Sequence, residues 1–410
     1  MKLKNLQTNR LELKMSIELS KIVQSMEPSA TLAMSGKAKE LKAKGETVYD
    51  LSLGEPDFGT PKHICDAAVA AIAAGHTRYT VASGIPELKK AVVANYKDRW
   101  GLEYDPTQCV ISNGAKHALH NSFFCTLNPG DEVIVPAPCW VSYTALIKLC
   151  GAVPVVLQTK ESDDFKLTAD DFRAAITPKT RMLLLCNPSN PTGNLYSKEE
   201  LKALADIVVE KDLFVIADEI YENLIYGDHR FTSFPTVRDG LQDRTILVNG
   251  VSKTYAMTGW RIGWTIAPAA VSKKMGSLQS QETSNPCSIS QYAALAAITG
   301  DQSCVKTMLV EFEKRRNYVA DRIRNIPGLS CAEMGGAFYA FVNIKEHLGR
   351  KYGGKQIDTS EQWCLELLAQ KKVATVMGSA FGTEGYFRAS FATSMENLKE
   401  SFDRIADFLK

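Results

Sequence analysis

The sequence predicts an α/β protein: a large domain with a mainly parallel, seven-stranded sheet between helices, and a smaller α+β domain built from both termini. Between residues 60 and 270, short apolar runs rich in β-branched residues alternate with amphipathic stretches, a pattern typical of strands joined by crossover helices. The chain has 410 residues, more than one hydrophobic core usually organises, so two domains are expected. Because crossover helices cover parallel sheets, we expect helices on both faces.

Each strand of the predicted sheet is a short apolar run. Strands are predicted at residues 109–112, 132–136, 153–157, 181–186, 213–218, 245–249 and 262–267. Helical periodicity fills most of the intervals between them, at residues 115–127, 140–150, 169–176 and 198–211.

The C-terminal third has a different pattern, which predicts the smaller α+β domain. A long helical stretch is predicted at about residues 289–326, followed by a strand at 335–341, a helix at 361–371, strands at 373–377 and 387–391, and a helix at 397–409. A further helix is predicted at residues 30–44. The predicted boundaries are 1–49 for an N-terminal segment that packs with the small domain, 50–300 for the large domain, and 301–410 for the small domain.

The composition is that of an ordinary globular protein. Hydrophobic residues make up 45% and charged residues 23% of the chain, and the formal net charge is +2. This balance gives no reason to expect a nucleic acid or a membrane surface as a partner. No apolar run in the sequence approaches the length of a membrane-spanning helix.

The ten cysteines stand singly, and several of them lie inside apolar runs. We therefore expect buried thiols in a reducing compartment, the cytoplasm, rather than disulfides. Neither the cysteines nor the six histidines show the spacing of metal ligands, so no metal is expected. Residues 1–14 are polar and lack the apolar segment of a secretory signal, and Met15 offers an alternative start.

Lys253 lies in the most informative segment, residues 248–264. It follows a predicted strand, has Ser252 and Thr254 as neighbours, and precedes Arg261 by eight residues. A lysine can form a Schiff base with an aldehyde, while a hydroxyl and a guanidinium neutralise a phosphate. The alternative is a solvated surface lysine, which the two tryptophans and three glycines of the segment make less favourable. The segment therefore indicates a site for a phosphorylated aldehyde.

Other polar groups follow the ends of predicted strands, where ligands gather in an open α/β sheet. The turn at residues 113–116 opens a helix, and its free N–H groups suit a phosphate, although a simple strand–helix turn explains it equally well. Trp140 follows a proline turn. It either stacks on a flat heteroaromatic ring or packs into the core.

Two further strand ends carry amide and carboxylate groups. The loop at residues 187–193 has two Asn-Pro steps, and its amides suit a ligand hydroxyl or carboxylate; the alternative is a plain Pro/Gly turn. Asp218 emerges from an apolar strand and needs a cationic partner such as a protonated pyridine nitrogen, unless it caps a helix. Tyr221 would place its hydroxyl beside the same ring. Together with Lys253, these groups predict one ligand, pyridoxal 5′-phosphate.

Ordered sequence blocks from about Ser16 to the C-terminus resemble the class I and II aminotransferases of fold type I, and within them the bacterial and plant-type aspartate aminotransferases. The blocks are GEPDF at 54–58, RYT at 78–80, GIPEL at 84–88, NGAK at 113–116, PCWVSY at 138–143, NPSNPTG at 187–193, DEIY at 218–221, SKT at 252–254, GWR at 259–261 and RASFATS at 388–394. So many blocks in one order make a chance similarity implausible.

The resemblance implies a role for each residue around the cofactor ring. Lys253 forms the Schiff base and then moves a proton between the substrate α-carbon and the cofactor. Asp218 keeps the ring nitrogen protonated, which makes the ring an electron sink. Tyr221 and Asn190 bond the ring oxygen, and Trp140 stacks on the ring.

The resemblance also implies sites for the phosphate, the substrate and a second subunit. Arg388 clamps the substrate α-carboxylate, beside Trp140 and with help from Asn190 and the Gly54 backbone. Tyr79 crosses from the other subunit to the phosphate, so a homodimer with shared active sites is expected. The phosphate is bound by Gly114, Ala115, Lys116, Ser252 and Arg261.

The activity implied is amino-group transfer from an L-amino acid to a 2-oxo acid in a ping-pong cycle, with aspartate and 2-oxoglutarate giving oxaloacetate and glutamate. Transamination of prephenate, aromatic amino acids, alanine or kynurenine, and a C–S lyase activity, are alternatives, because no residue can be named for a distal carboxylate. Residues 28–31 and the surroundings of Lys116 are expected to line that side of the pocket.

Two other classes of protein are disfavoured by the sequence. A regulator that binds the cofactor without turnover would bring a DNA-binding module, for which residues 1–14 are too few. A nicotinamide enzyme would need a Gly-x-Gly-x-x-Gly turn after an early strand, and the sequence has none.

Overall fold

The computed structural model describes residues 19–24, 26, 28 and 30–410. The expectations for residues 1–14, for the alternative start at Met15 and for Ser29 lie outside the described residues. The helices are α1 Lys21–Gln24, α2 Ala30–Ala43, α3 Lys62–Ala73, α4 Pro86–Trp100, α5 Ala115–Thr126, α6 Ser142–Leu149, α7 Ala169–Ala175, α8 Lys198–Glu210, α9 Ala269–Glu282, α10 Ser288–Thr299, α11 Ser303–Arg324, α12 Ser360–Lys371 and α13 Met395–Phe408.

The strands fall into one large sheet and three smaller ones. They are β1 Tyr49–Asp50, β2 Cys109–Ser112, β3 Glu132–Ala137, β4 Val153–Gln158, β5 Thr180–Cys186, β6 Phe214–Asp218, β7 Thr245–Gly250, β8 Gly263–Ile266, β9 Ser330–Cys331, β10 Tyr339–Asn343, β11 Arg350–Tyr352, β12 Lys355–Ile357, β13 Val373–Ala374, β14 Val376–Met377 and β15 Tyr386–Ser390.

The large sheet has seven strands in the order β2-β8-β7-β6-β5-β3-β4, and all seven were predicted from the sequence. The neighbours from β4 to β7 pair in parallel, whereas β8 is antiparallel to β7 and β2. The connection from β7 to β8 carries only a 3₁₀ turn, at Thr258–Trp260. Because no crossover helix intervenes, the chain returns beside β7 in the opposite direction.

Both faces of this sheet are packed, as the uninterrupted apolar strands predict. Successive residues of β6 alternate between two cores: Val215 and Ala217 pack in one and Ile216 packs in the other.

Helix α8 begins with a reciprocal capping box of Ser197 and Glu200, which satisfies free N–H groups of its first turn.

A third core surrounds a four-stranded antiparallel sheet in the order β14-β15-β10-β9. Trp363 of α12 is fully buried and stacks on Phe387 of β15, with ring centroids 4.4 Å apart. Strand β1 pairs in parallel with β13, so a segment near the N-terminus joins this C-terminal part. The domain boundaries predicted from the sequence stay a prediction.

The structure corrects three of the predicted elements. The helical stretch at residues 289–326 is two helices, because α10 ends at Thr299 and Asp301 accepts a hydrogen bond from the Ser303 N–H at the start of α11. The strand predicted at 373–377 is two strands that join different sheets, β13 with β1 and β14 with β15. The strand predicted at 335–341 begins only at Tyr339.

Among the described residues, no helix is both long and apolar enough to span a membrane. No group of three or more His, Cys, Asp or Glu side chains in that part of the chain could hold a metal ion. All ten cysteines are described, and each is a free thiol.

Candidate active site

A cavity of about 360 Å³ lies where the large sheet, helix α2 and strand β15 meet. It brings together most of the residues predicted from the sequence to form a site. Its lining residues include Gly54, Ala115, Lys116, Trp140, Asn190, Asp218, Tyr221, Ser252, Lys253, Arg261 and Arg388. Residues separated by more than 300 positions in the chain thus face one space.

Lys253 follows β7 and points into the cavity. Its ammonium Nζ donates a hydrogen bond to the carbonyl oxygen of Gly54 and lies 5.8 Å from the ring centroid of Phe338. Burial lowers the pKa of Lys253 to about 8, and the positive charges of Arg388 and Arg261 act in the same direction. A solvated surface lysine would show neither the contact nor the shift.

Asp218 is the last residue of β6 and is 3% exposed. Its Oδ2 accepts a hydrogen bond of 2.6 Å from the Tyr143 hydroxyl, and its Oδ1 accepts one of 3.3 Å from the Ile220 N–H. Burial raises the pKa of Asp218 to about 6, while these two donors and Lys253 oppose the rise. A turn rather than a helix follows β6, so helix capping does not explain this carboxylate.

Helix α5 begins at the cavity with a turn that only glycine fits. Gly114 has φ +83°, and a Cβ there would lie 2.5 Å from the Arg261 guanidinium. No side chain caps the first N–H groups of α5, so these donors and the helix dipole favour an anion. Arg261 itself has φ +58°, a conformation that costs about 1 kcal/mol or more in a non-glycine residue.

Trp140 and Lys116 form one wall of the cavity. The Lys116 Nζ lies 4.9 Å from the centroid of the Trp140 ring, and burial lowers the pKa of Lys116, with Arg261 adding a smaller effect. The Trp140 ring also meets Tyr143 edge-on at 5.3 Å. Trp140 therefore packs against Tyr143 of the following helix, α6, and also lines the cavity, so both interpretations offered by the sequence hold.

Arg388 lies in the middle of β15 and is 1% exposed. Its Nη1 donates to the Asn190 side-chain oxygen at 3.0 Å and its Nη2 to the Ser52 carbonyl at 2.8 Å. Its Nε is buried without a partner among the described residues. Neither acceptor carries a charge, and a buried cation without a counter-charge is costly. The site is therefore suited to a carboxylate.

Asn190 belongs to the loop that joins β5 to α8. The Asn187-Pro188 and Asn190-Pro191 peptide bonds are both cis, and Asn187 and Asn190 are buried. The Asn187 side-chain oxygen accepts from the Tyr196 N–H at 3.1 Å, so Asn187 stabilises the loop while Asn190 faces the cavity.

Residues 46–405 match the family model "Aminotransferase class I and II". The chain belongs to that family. The predicted resemblance to class I and II aminotransferases is confirmed.

Two curated relatives and one solved structure are similar to this aminotransferase over nearly their whole length. The aspartate aminotransferase of Geobacillus stearothermophilus is 44% identical, with 96% of this chain and 99% of the relative covered. An aspartate/prephenate aminotransferase of Nitrosomonas europaea is 43% identical, covering 96% and 100%. The crystal structure of an aspartate aminotransferase from Rhizobium meliloti has a TM-score of 0.93 at 41% identity, covering 96% and 99%. The predicted α/β fold is confirmed.

Two predicted site residues do not line the cavity of this aminotransferase chain. Gly114 does not line it, but a Cβ on Gly114 would lie 2.5 Å from the guanidinium of Arg261, which does. Tyr79 is 88% exposed and lies outside the cavity. It therefore does not contribute to a phosphate site in its own chain.

Several lining residues of the aminotransferase site were missed from the sequence. Tyr143 lies in the quoted PCWVSY block, and Cys186 ends a predicted strand, but neither was assigned a role. Tyr339 lies in the strand predicted at 335–341, with no local signal that distinguishes it from a core tyrosine. Thr31 was expected to line the pocket and does so. The remaining missed residues are Leu32, Ser142, Ile220 and Thr258.

Proposed function

We propose that this aminotransferase uses pyridoxal 5′-phosphate to transfer the amino group of L-aspartate to 2-oxoglutarate, producing oxaloacetate and glutamate. The observation that carries the proposal is a single cavity that contains Lys253, the buried acid Asp218 and the buried, incompletely paired Arg388. Relatives named aspartate aminotransferase support the choice of substrate.

The residues present fit the cofactor. The phosphate would be held by the uncapped start of α5 together with Ser252 and Arg261. Glycine is needed at position 114, because a Cβ there would collide with the Arg261 guanidinium. Asp218 would face the ring nitrogen and Trp140 the ring, while Tyr221 and Asn190 would bond its oxygen. When bound, the cofactor supplies an aldehyde carbon for the amino group and a protonated ring that withdraws electrons from the substrate α-carbon.

The proton transfer belongs to Lys253. With its pKa lowered to about 8, a substantial part of its amine is neutral at slightly alkaline pH, so Nζ can accept the proton from the substrate α-carbon and later return one. The Gly54 carbonyl fixes the direction of Nζ. Asp218 remains ionised against a cationic ring nitrogen because opposite charges favour the charged form of each.

A dicarboxylic substrate needs a second cation, and Lys116 is the candidate. Among the described lining residues the positive charges are Lys116, Lys253, Arg261 and Arg388. Lys253 is assigned to the aldehyde, Arg261 to the phosphate and Arg388 to the α-carboxylate, which leaves Lys116 for the distal carboxylate. Thr31 adds a buried hydroxyl without a partner among the described residues.

Prephenate is the second candidate substrate. It also carries two carboxylates, and the Nitrosomonas europaea relative is named for both substrates. Alanine, aromatic amino acids and kynurenine have no carboxylate in the side chain that could bind Lys116, which makes them weaker candidates.

We infer that the active unit is a homodimer. Tyr79 is 88% exposed, yet its loop is held firmly: the Gln291 side chain donates to the Thr80 hydroxyl at 3.2 Å and accepts from the Ile85 N–H at 2.8 Å. A fixed, exposed aromatic side chain suits a contact with a second copy, where Tyr79 would reach the phosphate. The proposed location is the cytoplasm, in keeping with ten unpaired thiols.

The test begins with the purified protein and added pyridoxal 5′-phosphate. A visible absorbance band that changes on adding aspartate is expected, and Lys253→Ala should lack it. Initial rates with 2-oxoglutarate are then compared for aspartate, alanine, phenylalanine and kynurenine, and prephenate is tested as the acceptor with glutamate or aspartate as donor. A protein that stays colourless and unchanged with the cofactor would overturn the whole proposal, whereas a slow reaction with aspartate would overturn the substrate alone.

A further inference from the structure

Tyr339 is the point at which three separate parts of the site meet. It begins β10, is 1% exposed and lines the cavity. Its hydroxyl lies 3.0 Å from the Tyr221 hydroxyl, and its ring centroid lies 4.3 Å from the guanidinium carbon of Arg388. A Cβ on Gly54 would come within 2.9 Å of the Tyr339 oxygen, so the loop that contacts Lys253 also closes over Tyr339.

The ring of Tyr339 supports Arg388 without neutralising it. The hydrogen-bond acceptors of this guanidinium among the described residues are the uncharged oxygens of Asn190 and Ser52. The Tyr339 face and, at 5.0 Å, the Phe381 face lie against it. An aromatic face attracts a cation through its quadrupole, by about 0.5–2 kcal/mol, but leaves the full positive charge. Arg388 is thereby held in place with its charge available to a carboxylate.

The hydroxyl of Tyr339 decides how the Tyr221 hydroxyl can be used. In a pair of hydroxyls one hydrogen lies between the two oxygens, so only one partner keeps its hydrogen for another acceptor. Burial raises the pKa of both tyrosines, and the charge of Arg388 counters the rise mainly for Tyr339. The more acidic hydroxyl is the better donor. The positive charge of Arg388, 4.3 Å from the Tyr339 ring centroid, thus favours the arrangement in which Tyr339 donates to Tyr221 and Tyr221 keeps its own hydrogen for the cavity.

We propose that Tyr339 is a positioning residue with two separable roles: its ring holds Arg388 for the substrate carboxylate, and its hydroxyl directs the Tyr221 hydrogen toward the ring oxygen of the cofactor. The proposal rests on the proposed function, since it assigns both targets within that site. It predicts that removing the hydroxyl and removing the ring have different consequences.

Two variants of the holoenzyme separate the roles. In Tyr339→Phe the ring stays, so the dissociation constant of maleate, an unreactive dicarboxylate, should remain within about 2-fold of the wild type. The pH at which the visible absorbance of the bound cofactor is half changed should rise by about half a unit. Without the hydrogen bond from Tyr339, the Tyr221 hydroxyl becomes a weaker donor to the cofactor's ring oxygen. In Tyr339→Leu, maleate binding should weaken on the order of 10-fold, as loss of the cation–ring contact predicts.

Tyr386→Phe is the matched control. Tyr386 is equally buried and belongs to the same sheet, but its hydroxyl donates to Glu161 at 2.8 Å, away from the cavity. Both readouts should stay at the wild-type values in this variant. If Tyr339→Leu does not fold, Tyr339→Met also removes the ring. Methionine has about the volume of leucine but is more flexible, so it fills an irregular space better.

Each role can be overturned separately. An unmoved absorbance midpoint in Tyr339→Phe overturns the role of the hydroxyl, and unchanged maleate binding in Tyr339→Leu overturns the role of the ring. Failure of the proposed function shows earlier and differently, as a wild-type protein that binds no cofactor.

Discussion

Two sheets supply this site in opposite ways. The parallel strands of the large sheet deliver residues beyond their carboxyl ends: Asp218 ends β6, Lys253 follows β7 and Asn190 follows β5. The antiparallel sheet delivers Arg388 from the middle of β15 and Tyr339 from the start of β10. The first set projects from loops at one edge, whereas the second projects from a sheet face. Under the proposed function, the parallel sheet supplies most of the groups for the cofactor, and the antiparallel sheet supplies the arginine for the substrate carboxylate.

The largest effect should come from the parallel sheet. Lys253→Ala removes the group that holds the aldehyde and moves the proton, so kcat is expected to fall by about 10⁴-fold or more. Steady-state transamination and the visible absorbance band measure it. Lys62→Ala, which alters an exposed ion pair with Asp66, should leave both unchanged. Retention of more than a tenth of the activity in Lys253→Ala would contradict the assignment.

The antiparallel sheet should show its contribution in substrate affinity. Arg388→Lys replaces a planar, two-pronged donor with a point charge, and losing such a buried charge pair costs about 2–5 kcal/mol. We expect kcat/KM to fall on the order of 10²- to 10³-fold, with cofactor binding preserved. Arg324→Lys, at an exposed position of α11, is the control. If Arg388→Lys weakened cofactor binding as much as it lowered kcat/KM, the proposed difference in role between the two sheets would be wrong.

Asp218 offers a test on the protein without cofactor. Its folded pKa of about 6 exceeds the ordinary value of 3.8 for an aspartate, so the folded state binds the proton more tightly than the unfolded state. Stability is then lost as pH rises from 3.8 to about 6 and stays lower above it. Asp218→Asn should make the cofactor-free protein more stable at pH 8 by about 3 kcal/mol at most.

Denaturant unfolding at two pH values measures this effect. The difference between Asp218→Asn and the wild type should vanish near pH 3, where Asp218 is protonated in both states. Asp239→Asn, at an exposed position, should show no difference at either pH. A stability gain that is the same at both pH values would point to packing instead of charge.

The smallest effect is expected at Lys116, which neither sheet supplies directly because it lies in the first turn of α5. Lys116→Gln should lower kcat/KM for aspartate about 10-fold, which corresponds to one charged hydrogen bond, and leave that for alanine nearly unchanged. The ratio of the two values is the measurement, with Lys148→Gln, at an exposed position, as control. An equal fall in kcat/KM for aspartate and alanine would contradict this role and would favour Lys116 as a ligand of the phosphate.

The missed elements share one physical cause. Phe341 lies opposite Arg388 in the β10–β15 pairing, which places Tyr339 diagonally next to Arg388 on the same face. This register depends on two segments that are remote in sequence, so no local pattern could indicate it. The division of residues 373–377 between β1 and β15 is non-local in the same way.

The sequence by itself determined the seven strands, their alternation with helices, and the strand-end groups Asp218, Asn190 and Lys253. These depend on local apolar runs and on the rule that parallel strands end at one edge. Only the tertiary structure decided that Tyr143 donates to Asp218, that Tyr339 lies between Tyr221 and Arg388, and that Tyr79 is exposed and does not line the cavity of its own chain. Those contacts require segments far apart in the chain to be brought together by the three hydrophobic cores, and local sequence carries no record of that pairing.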